Sequence, residues 1–324
     1  MTARAAFQGV LLAVAVCCLS MMGCLSPGRA LPQAKRILFL GDSITHSGQY
    51  VEFIEAALIT AHPKRVFEII NCGLPSETVS GLSEPGHAGG QFPRPDLHER
   101  LDRVLAKVKP DLVVVCYGMN DGIYMPLSEE RFAAFRHGMS QLHDKAVASG
   151  ASVIHLTPAL FDVEPIRART DRSGESGKTF TDYDAVLEGY GQWLLAQGQA
   201  NGWTVLDVHG AMKAALAAAR ISNPKFTFAG DGVHPNDAGH KVMAQPILDL
   251  WKVRVKAGET NGVAGEVLKL VRIKQRLLRD AWLRETGHQR PGLPKGLPLA
   301  EAQEKAMEAD RKARSLMSPD AASR

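Results

Sequence analysis

The sequence contains no Cys-x-x-Cys pair and no His-Glu-x-x-His run. Those patterns mark many metal and redox centres, so no metal site and no cofactor are expected. There is also no Gly-x-Ser-x-Gly, which argues against an α/β-hydrolase nucleophile elbow. Gly177-Lys178-Thr179 resembles the end of a phosphate loop, but Arg172 stands where that loop needs glycine. Cysteine is scarce. Of five, Cys17, Cys18 and Cys24 fall in or at the end of the first 24 residues. Only Cys72 and Cys116 remain in the body, each at the end of an expected strand. A disulfide and two buried thiols are both open readings. A strong charge is lacking as well. After Trp251 there are 16 Lys+Arg against 9 Asp+Glu, which leaves 22 against 25 in the first 250 residues. A near-neutral body argues against a nucleic-acid partner.

What is present begins with a targeting segment. Arg4 precedes an apolar stretch, Gly9 to Leu19, and Ser20-Met21-Met22-Gly23-Cys24 follows. This describes a secretory signal rather than a membrane span. Gly23-Cys24 resembles a bacterial lipobox, with Met21 where leucine is usual. Lipidation of Cys24 would attach the chain to a membrane, and the alternative is ordinary cleavage near Ala30. Either way export is expected, to the periplasm or as a membrane-anchored lipoprotein. The chain then divides into a signal segment (1–24), a main domain (35–251) and a linker with a basic helical extension (252–324). The extension reads as an appendage with a solvated helical face, or one that docks on the body or a polyanionic surface.

The main domain is organised around Arg36 to Ser47. An apolar run, Ile37 to Leu40, stops at Gly41-Asp42-Ser43, and residues from Gln49 on have helical spacing. Ser43 is thus expected at the carboxyl end of a first strand, where ligands bind in open α/β sheets. The plainer alternative is a helix cap. Further strands are expected over Val66–Gly73, Asp111–Tyr117, Ser152–Thr157 and Trp203–Val208, with helices between them. Alternation of this kind predicts a parallel sheet covered on both faces. Leu74 to Asp96 is rich in Gly, Pro and Ser, and too long for a simple connection.

Polar residues able to do chemistry stand at the element boundaries: Ser43, Asn120 and the Asp231/His234 pair. A serine hydroxyl needs a base to become a nucleophile. Histidine is the natural base, and a carboxylate orients its ring. Asp231, three residues before His234, can reach back to that ring. A tetrahedral intermediate needs preorganised donors. The N–H groups of Ser43 and Gly73 and the amide of Asn120 can supply them. His209, with Asp207 two residues before it, is the rival base, while His155 reads as a core residue. Asp121 is read as a substrate contact or as support for Asn120. His46, Glu77, His87 and Arg94 are candidate substrate contacts by position, or else exposed loop residues.

Gly41-Asp42-Ser43, Gly73, Gly118-Met119-Asn120-Asp121 and Asp231-Gly232-Val233-His234 resemble the four sequence blocks of the SGNH (GDSL-type) hydrolase family. The resemblance spans roughly Lys35 to Trp251. It implies a flavodoxin-like three-layer α/β/α sandwich and metal-independent ester hydrolysis. It further implies Ser43 as nucleophile, His234 as base, Asp231 as orienter, and Gly73 and Asn120 as oxyanion donors. The stretch from Gly73 to Gly90, Tyr117 to Tyr124, and the segment from Ala281 to Ala302 also look like an exported subgroup of planctomycete-type bacteria. The expected activity is a serine esterase acting on small acyl groups, such as acetyl groups on carbohydrate. A lipid esterase or thioesterase of the same fold is the alternative within enzymes. A carbohydrate-binding or scaffolding protein without turnover is the alternative outside them.

Overall fold

The computed structural model describes residues 33–173, 178–254 and 261–317. The expected signal segment with Cys24, the glycine of the phosphate-loop look-alike, and residues 258–260 of the expected linker lie outside them.

In chain order the elements are β1 (Arg36–Gly41), α1 (Ser43–Ser47), α2 (Gln49–Ala61), β2 (Glu68–Asn71), α3 (Leu97–Val108), β3 (Leu112–Cys116), α4 (Glu129–Ala148) and β4 (Ser152–Leu156). A two-residue pair follows, β5 (Thr170–Asp171) with β6 (Thr179–Phe180). Next come α5 (Tyr183–Asn201), β7 (Thr204–Leu206), α6 (Val208–Ser222), α7 (Asp237–Leu250), α8 (Gly262–Thr286) and α9 (Leu299–Ser315). The main sheet runs β2-β1-β3-β4-β7, and every pairing in it is parallel. Helices cover both faces, as the alternation predicts. β1 sits between β2 and β3, and β3 (Leu-Val-Val-Val-Cys) is buried along its whole length.

β1 ends in a tight turn. A Cβ at Gly41 would lie 2.1 Å from Thr45 Oγ1 and 2.6 Å from the Cys116 carbonyl oxygen, so only glycine fits. The chain then enters α1 at once. The Asp42 side chain accepts from the Ile44 N–H at 2.9 Å, capping the helix whose first residue is Ser43. Cys72 and Cys116, at the ends of β2 and β3, are two free buried thiols.

The extension is helical, but it is not an appendage. α8 packs on α2 and β2, and its Val267, Leu268, Val271, Leu278, Ala281 and Trp282 belong to the same core as the sheet. α9 presents a stripe of small residues, Ala302, Ala306, Ala309 and Ala313, all buried. Several charges on the extension are engaged with the body, while others, among them Arg276, Lys295, Glu304 and Arg311, face solvent. Lys274 Nζ lies 2.7 Å from both Glu55 Oε1 of α2 and Asp310 Oδ1 of α9. Gln275 donates to Glu55 and to the Ile69 carbonyl, satisfying one acceptor on the β2 edge. Arg272 pairs with Asp237 at 2.8 Å and with Glu52 at 3.2 Å, and Arg279 donates to the His46 carbonyl at 2.8 Å.

Removing one member of a buried ion pair leaves the others unpaired in a low dielectric. Lys274→Met is therefore expected to lower the unfolding free energy by about 3–5 kcal/mol in urea titrations. A loss below about 1 kcal/mol, the range of a surface pair, would mean that the extension is not fastened to the core.

Candidate active site

Ser43, at the start of α1, and His234, just before α7, meet across the carboxyl edge of the sheet. The Ser43 hydroxyl donates to His234 Nε2 at 2.9 Å. On the far side of the ring, Nδ1–H donates to Asp231 Oδ2 at 2.7 Å. The three-residue spacing works because Asp231 Oδ1 also accepts the N–H groups of Val233 (2.9 Å) and His234 (2.8 Å). One carboxylate thus closes its own turn and orients the ring. Partial burial pushes the Asp231 carboxyl up, but these hydrogen bonds outweigh it and hold the group below the usual carboxylate range. The His234 and Asp231 side chains are 51% and 54% exposed, so the site opens directly to solvent. The arrangement can deprotonate a serine hydroxyl and return the proton to a leaving group.

The expected oxyanion donors divide. Gly73 is a correction. Its N–H donates to Asn71 Oδ1 at 2.9 Å, so it is committed within its own turn. Glycine is needed there for a different reason: a Cβ would lie 2.4 Å from the His46 nitrogen and 2.7 Å from the Thr45 carbonyl carbon, on the backbone of α1. The residue that sequence reasoning missed is Ser76. Glu77 N–H donates to the Leu74 carbonyl at 3.2 Å, Pro75 follows Leu74, and Ser76 has a φ of 67°. That is a type II turn, whose flipped central peptide turns the Ser76 N–H away from the turn's own hydrogen bond. Among the described residues neither the Ser43 N–H nor the Ser76 N–H has an acceptor. The Pro-Ser dipeptide after Gly73-Leu74 was the available signal. Asn120 lies beside this turn: one Nδ2–H donates to the Glu77 carbonyl at 3.1 Å, and the other has no acceptor among the described residues.

Three expected substrate contacts prove to be supports. Glu77 is fully buried, gripped by Arg100 Nε (2.6 Å) and Nη2 (2.7 Å) and by the Tyr117 hydroxyl (2.5 Å). Burial alone would favour loss of the Arg100 proton, but the Glu77 carboxylate more than reverses this and the guanidinium stays charged. Asp121 is buried too, and its Oδ1 accepts the N–H groups of Val79 and Ser80, both at 2.9 Å. It ties the Leu74–Asp96 loop to the end of β3. His46 Nδ1 lies 3.1 Å from the Gly73 carbonyl; burial and the nearby Arg279 push its pKa down to about 4, so it stays neutral. His87 is half-buried against Glu84 (3.3 Å) and the edge of Phe92. Arg94 is not an exposed loop residue: it is buried, and Nη1 donates to Asn120 Oδ1 at 3.0 Å.

The rival base, His209, is buried at the start of α6, 3.5 Å from Asp184, while Asp207 caps that helix. His155 packs against His143 and Trp203, and burial pushes its pKa down to about 3. Among the described residues no group of three or more His, Cys, Asp or Glu side chains is arranged to hold a metal.

Asp42, directly before Ser43, is buried, and burial pushes its carboxyl up to about 7 against the opposing Ile44 hydrogen bond. The unfolded carboxyl titrates near 3.9, so the folded state binds the extra proton between about pH 4 and 7. This contribution to stability is full below that window and is lost as pH rises through it. Asp42→Asn keeps the cap and removes the titration. The variant is expected to gain about 1 kcal/mol or more relative to wild type between pH 4 and pH 8 in urea unfolding. A variant that loses ground as pH rises would contradict the assignment.

A search of curated proteins finds no match. Among solved structures, an alpha/beta hydrolase enzyme from the metagenome of Lake Arreo, Spain, is 24% identical with a TM-score of 0.50. The match covers 69% of this chain and 97% of that one. A catalytic mutant of an acetylxylan esterase from Geobacillus stearothermophilus is 18% identical with a TM-score of 0.51, over 70% of this chain and 97% of that one. A gut microbial diltiazem-metabolizing enzyme is 20% identical with a TM-score of 0.53, over 70% of this chain, which spans about half (49%) of that longer one. At such identities the likeness is one of fold. The family model described as GDSL-like Lipase/Acylhydrolase family matches residues 39–242, from the middle of β1 into α7. With that match over most of its length, the chain belongs to the GDSL-like lipase/acylhydrolase family and is an ester-bond hydrolase.

Proposed function

We propose that the protein is an exported serine esterase that removes small acyl groups, acetyl above all, from carbohydrate. The observation that carries the reading is the unbroken chain of hydrogen bonds from Ser43 through His234 to Asp231. In the first half-reaction Ser43 Oγ attacks the ester carbonyl while His234 Nε2 takes its proton. The carbonyl oxygen becomes an oxyanion held by the Ser43 and Ser76 N–H groups and by the free Nδ2–H of Asn120. The intermediate collapses, His234 gives its proton to the departing alcohol oxygen, and an acyl ester remains on Ser43. Water then attacks that ester with His234 again as base, releasing the acid and restoring the hydroxyl.

Three observations support the finer reading. The half-exposed His234 and Asp231 leave room for a bulky polar alcohol. A fold neighbour is an acetylxylan esterase. The apolar stretch after Arg4, ending in Gly23-Cys24, supports export, with lipidation of Cys24 as its anchored form and the planctomycete-type subgroup as its setting.

Ser43→Ala is expected to lower p-nitrophenyl acetate hydrolysis by on the order of 10³-fold or more with an unchanged melting temperature. Wild-type kcat/KM is expected to fall from acetyl to octanoyl esters. Acetylated glycans release acetate with wild type and not with Ser43→Ala. Retained hydrolysis in the variant would overturn the nucleophile assignment. A preference for long acyl chains would favour a lipid esterase, and a wild type inert on every ester would favour a binding protein.

A further inference from the structure

We propose that Arg94 is a positioning residue for the oxyanion site: it polarises the Asn120 amide, so that the free Nδ2–H binds developing negative charge more strongly. The inference rests on the esterase reading above.

Arg94 stands in the Leu74–Asp96 loop, yet its side chain is only 6% exposed. Nε and Nη2 each lie 2.7 Å from a Glu84 carboxylate oxygen in a two-pronged pair. That fork fixes the guanidinium plane and leaves Nη1 directed at Asn120 Oδ1, 3.0 Å away. The Tyr124 hydroxyl is a second donor to the same oxygen at 3.2 Å, and the guanidinium lies over the Tyr124 ring, 5.5 Å from its centroid. Asn120 Oδ1 thus accepts from a cation and a phenol, while one Nδ2–H is spent on the Glu77 carbonyl. Hydrogen bonds accepted at the oxygen of an amide strengthen those its nitrogen donates, most of all in a low-dielectric site. A charged donor at Oδ1 therefore acts on the one N–H that remains.

Holding the loop does not require this contact. Asp121 Oδ1 already binds the N–H groups of Val79 and Ser80, and Thr78 N–H and Leu97 N–H close the loop's base on Pro95 and Thr78 carbonyls. The backbone on the other side is strained: Ile123 and Tyr124 both have positive φ, 47° and 57°. A β-branched residue rarely adopts that conformation, and here it delivers the Tyr124 hydroxyl to Asn120. Two independent segments thus converge on one amide oxygen.

The test is steady-state kinetics on p-nitrophenyl acetate, with inhibition by a trifluoromethyl ketone as a mimic of the tetrahedral intermediate. For Arg94→Met, kcat is expected to fall about 10-fold or more with KM within about twofold, because the interaction strengthens only in the transition state. Arg94→Lys keeps the charge and recovers part of the loss. Tyr124→Phe, which leaves the Glu84 pair intact, shows a smaller loss in kcat. Ketone affinity falls in step with kcat/KM. Arg94→Met in an Asn120→Ala background is no slower than Asn120→Ala alone, since the effect passes through that amide. If Arg94→Met does not fold, the Arg94→Lys and Tyr124→Phe cycles with Asn120→Ala read the same coupling. Losses that multiply, or a raised KM with kcat kept, overturn the proposal. An active wild type whose kcat is unchanged by Arg94→Met sinks this inference alone. A wild type that hydrolyses no ester sinks it together with the esterase reading.

Discussion

The backbone of α1 lies against the chain leaving β2, directly after the turn that ends β1, and little about the site is independent of that approach. Gly41 lets β1 turn under Thr45 and beside Cys116 of β3, and Gly73 lets the chain leaving β2 pass over Thr45 and His46. The approach is closed by hydrogen bonds: Leu74 N–H to the Gly41 carbonyl at 2.9 Å, and Asn71 Nδ2 to the Thr45 carbonyl at 2.6 Å. A methyl group at either glycine would strike backbone, which cannot move aside as a side chain can. The same contact sets Ser43 at the helix start, its N–H without an acceptor among the described residues, and ties the entry of the Pro75-Ser76 turn to the end of β1. The placement of the proposed nucleophile and of the proposed oxyanion donors therefore follows from one packing event.

Charge burial does the rest. Glu77, Arg100 and Tyr117 form a closed buried set whose polar atoms are mostly spent on one another and on the Cys72 carbonyl. Such a set rigidifies its surroundings when its members are satisfied. Its output is the position of the Glu77 carbonyl, which receives Asn120. Asp42 and Asp121 are both buried on the floor of the site, and that burial pushes both carboxyls up. His234 and Asp231 stand half in solvent on the opposite rim. The donors thus lie on a dry, fixed floor, and the base stands where an alcohol or a water can reach it.

The fold and the proton-transfer half of the site were legible in the sequence because they depend on short-range rules. Strand-then-glycine at Gly41, and an aspartate three residues before His234, determine local geometry with few alternatives. The oxyanion half was legible only in part. Asn120 follows closely on β3, the strand buried along its whole length, so its place follows from the sheet. Gly73 reads as an oxyanion donor, but a glycine is equally required where another backbone passes close by, and sequence does not say which. Ser76 depends on a positive φ that a Pro-Ser pair permits without demanding it. Glu77, His87 and Arg94 fall in a loop whose path is set by contacts with residues far along the chain. Charge in such a loop reads as exposure unless its partners are known.

The extension poses the same problem at larger scale. A basic helix reads as a solvated face when its partners are distant, yet Lys274 finds Glu55 and Arg272 finds Glu52 and Asp237. These partners lie on α2, which leads out of the nucleophile turn, and on α7, which follows His234. Arg279 adds a bond to the His46 carbonyl in α1 itself. One helix outside the family match thus touches the segments that carry Ser43 and His234. Their separation is the quantity that a 2.9 Å serine–histidine contact requires to be fixed. Small displacements there are costly because proton transfer depends on alignment. The physical case for α8 as part of the catalytic scaffold therefore rests on which helices it joins, more than on the apolar area it covers.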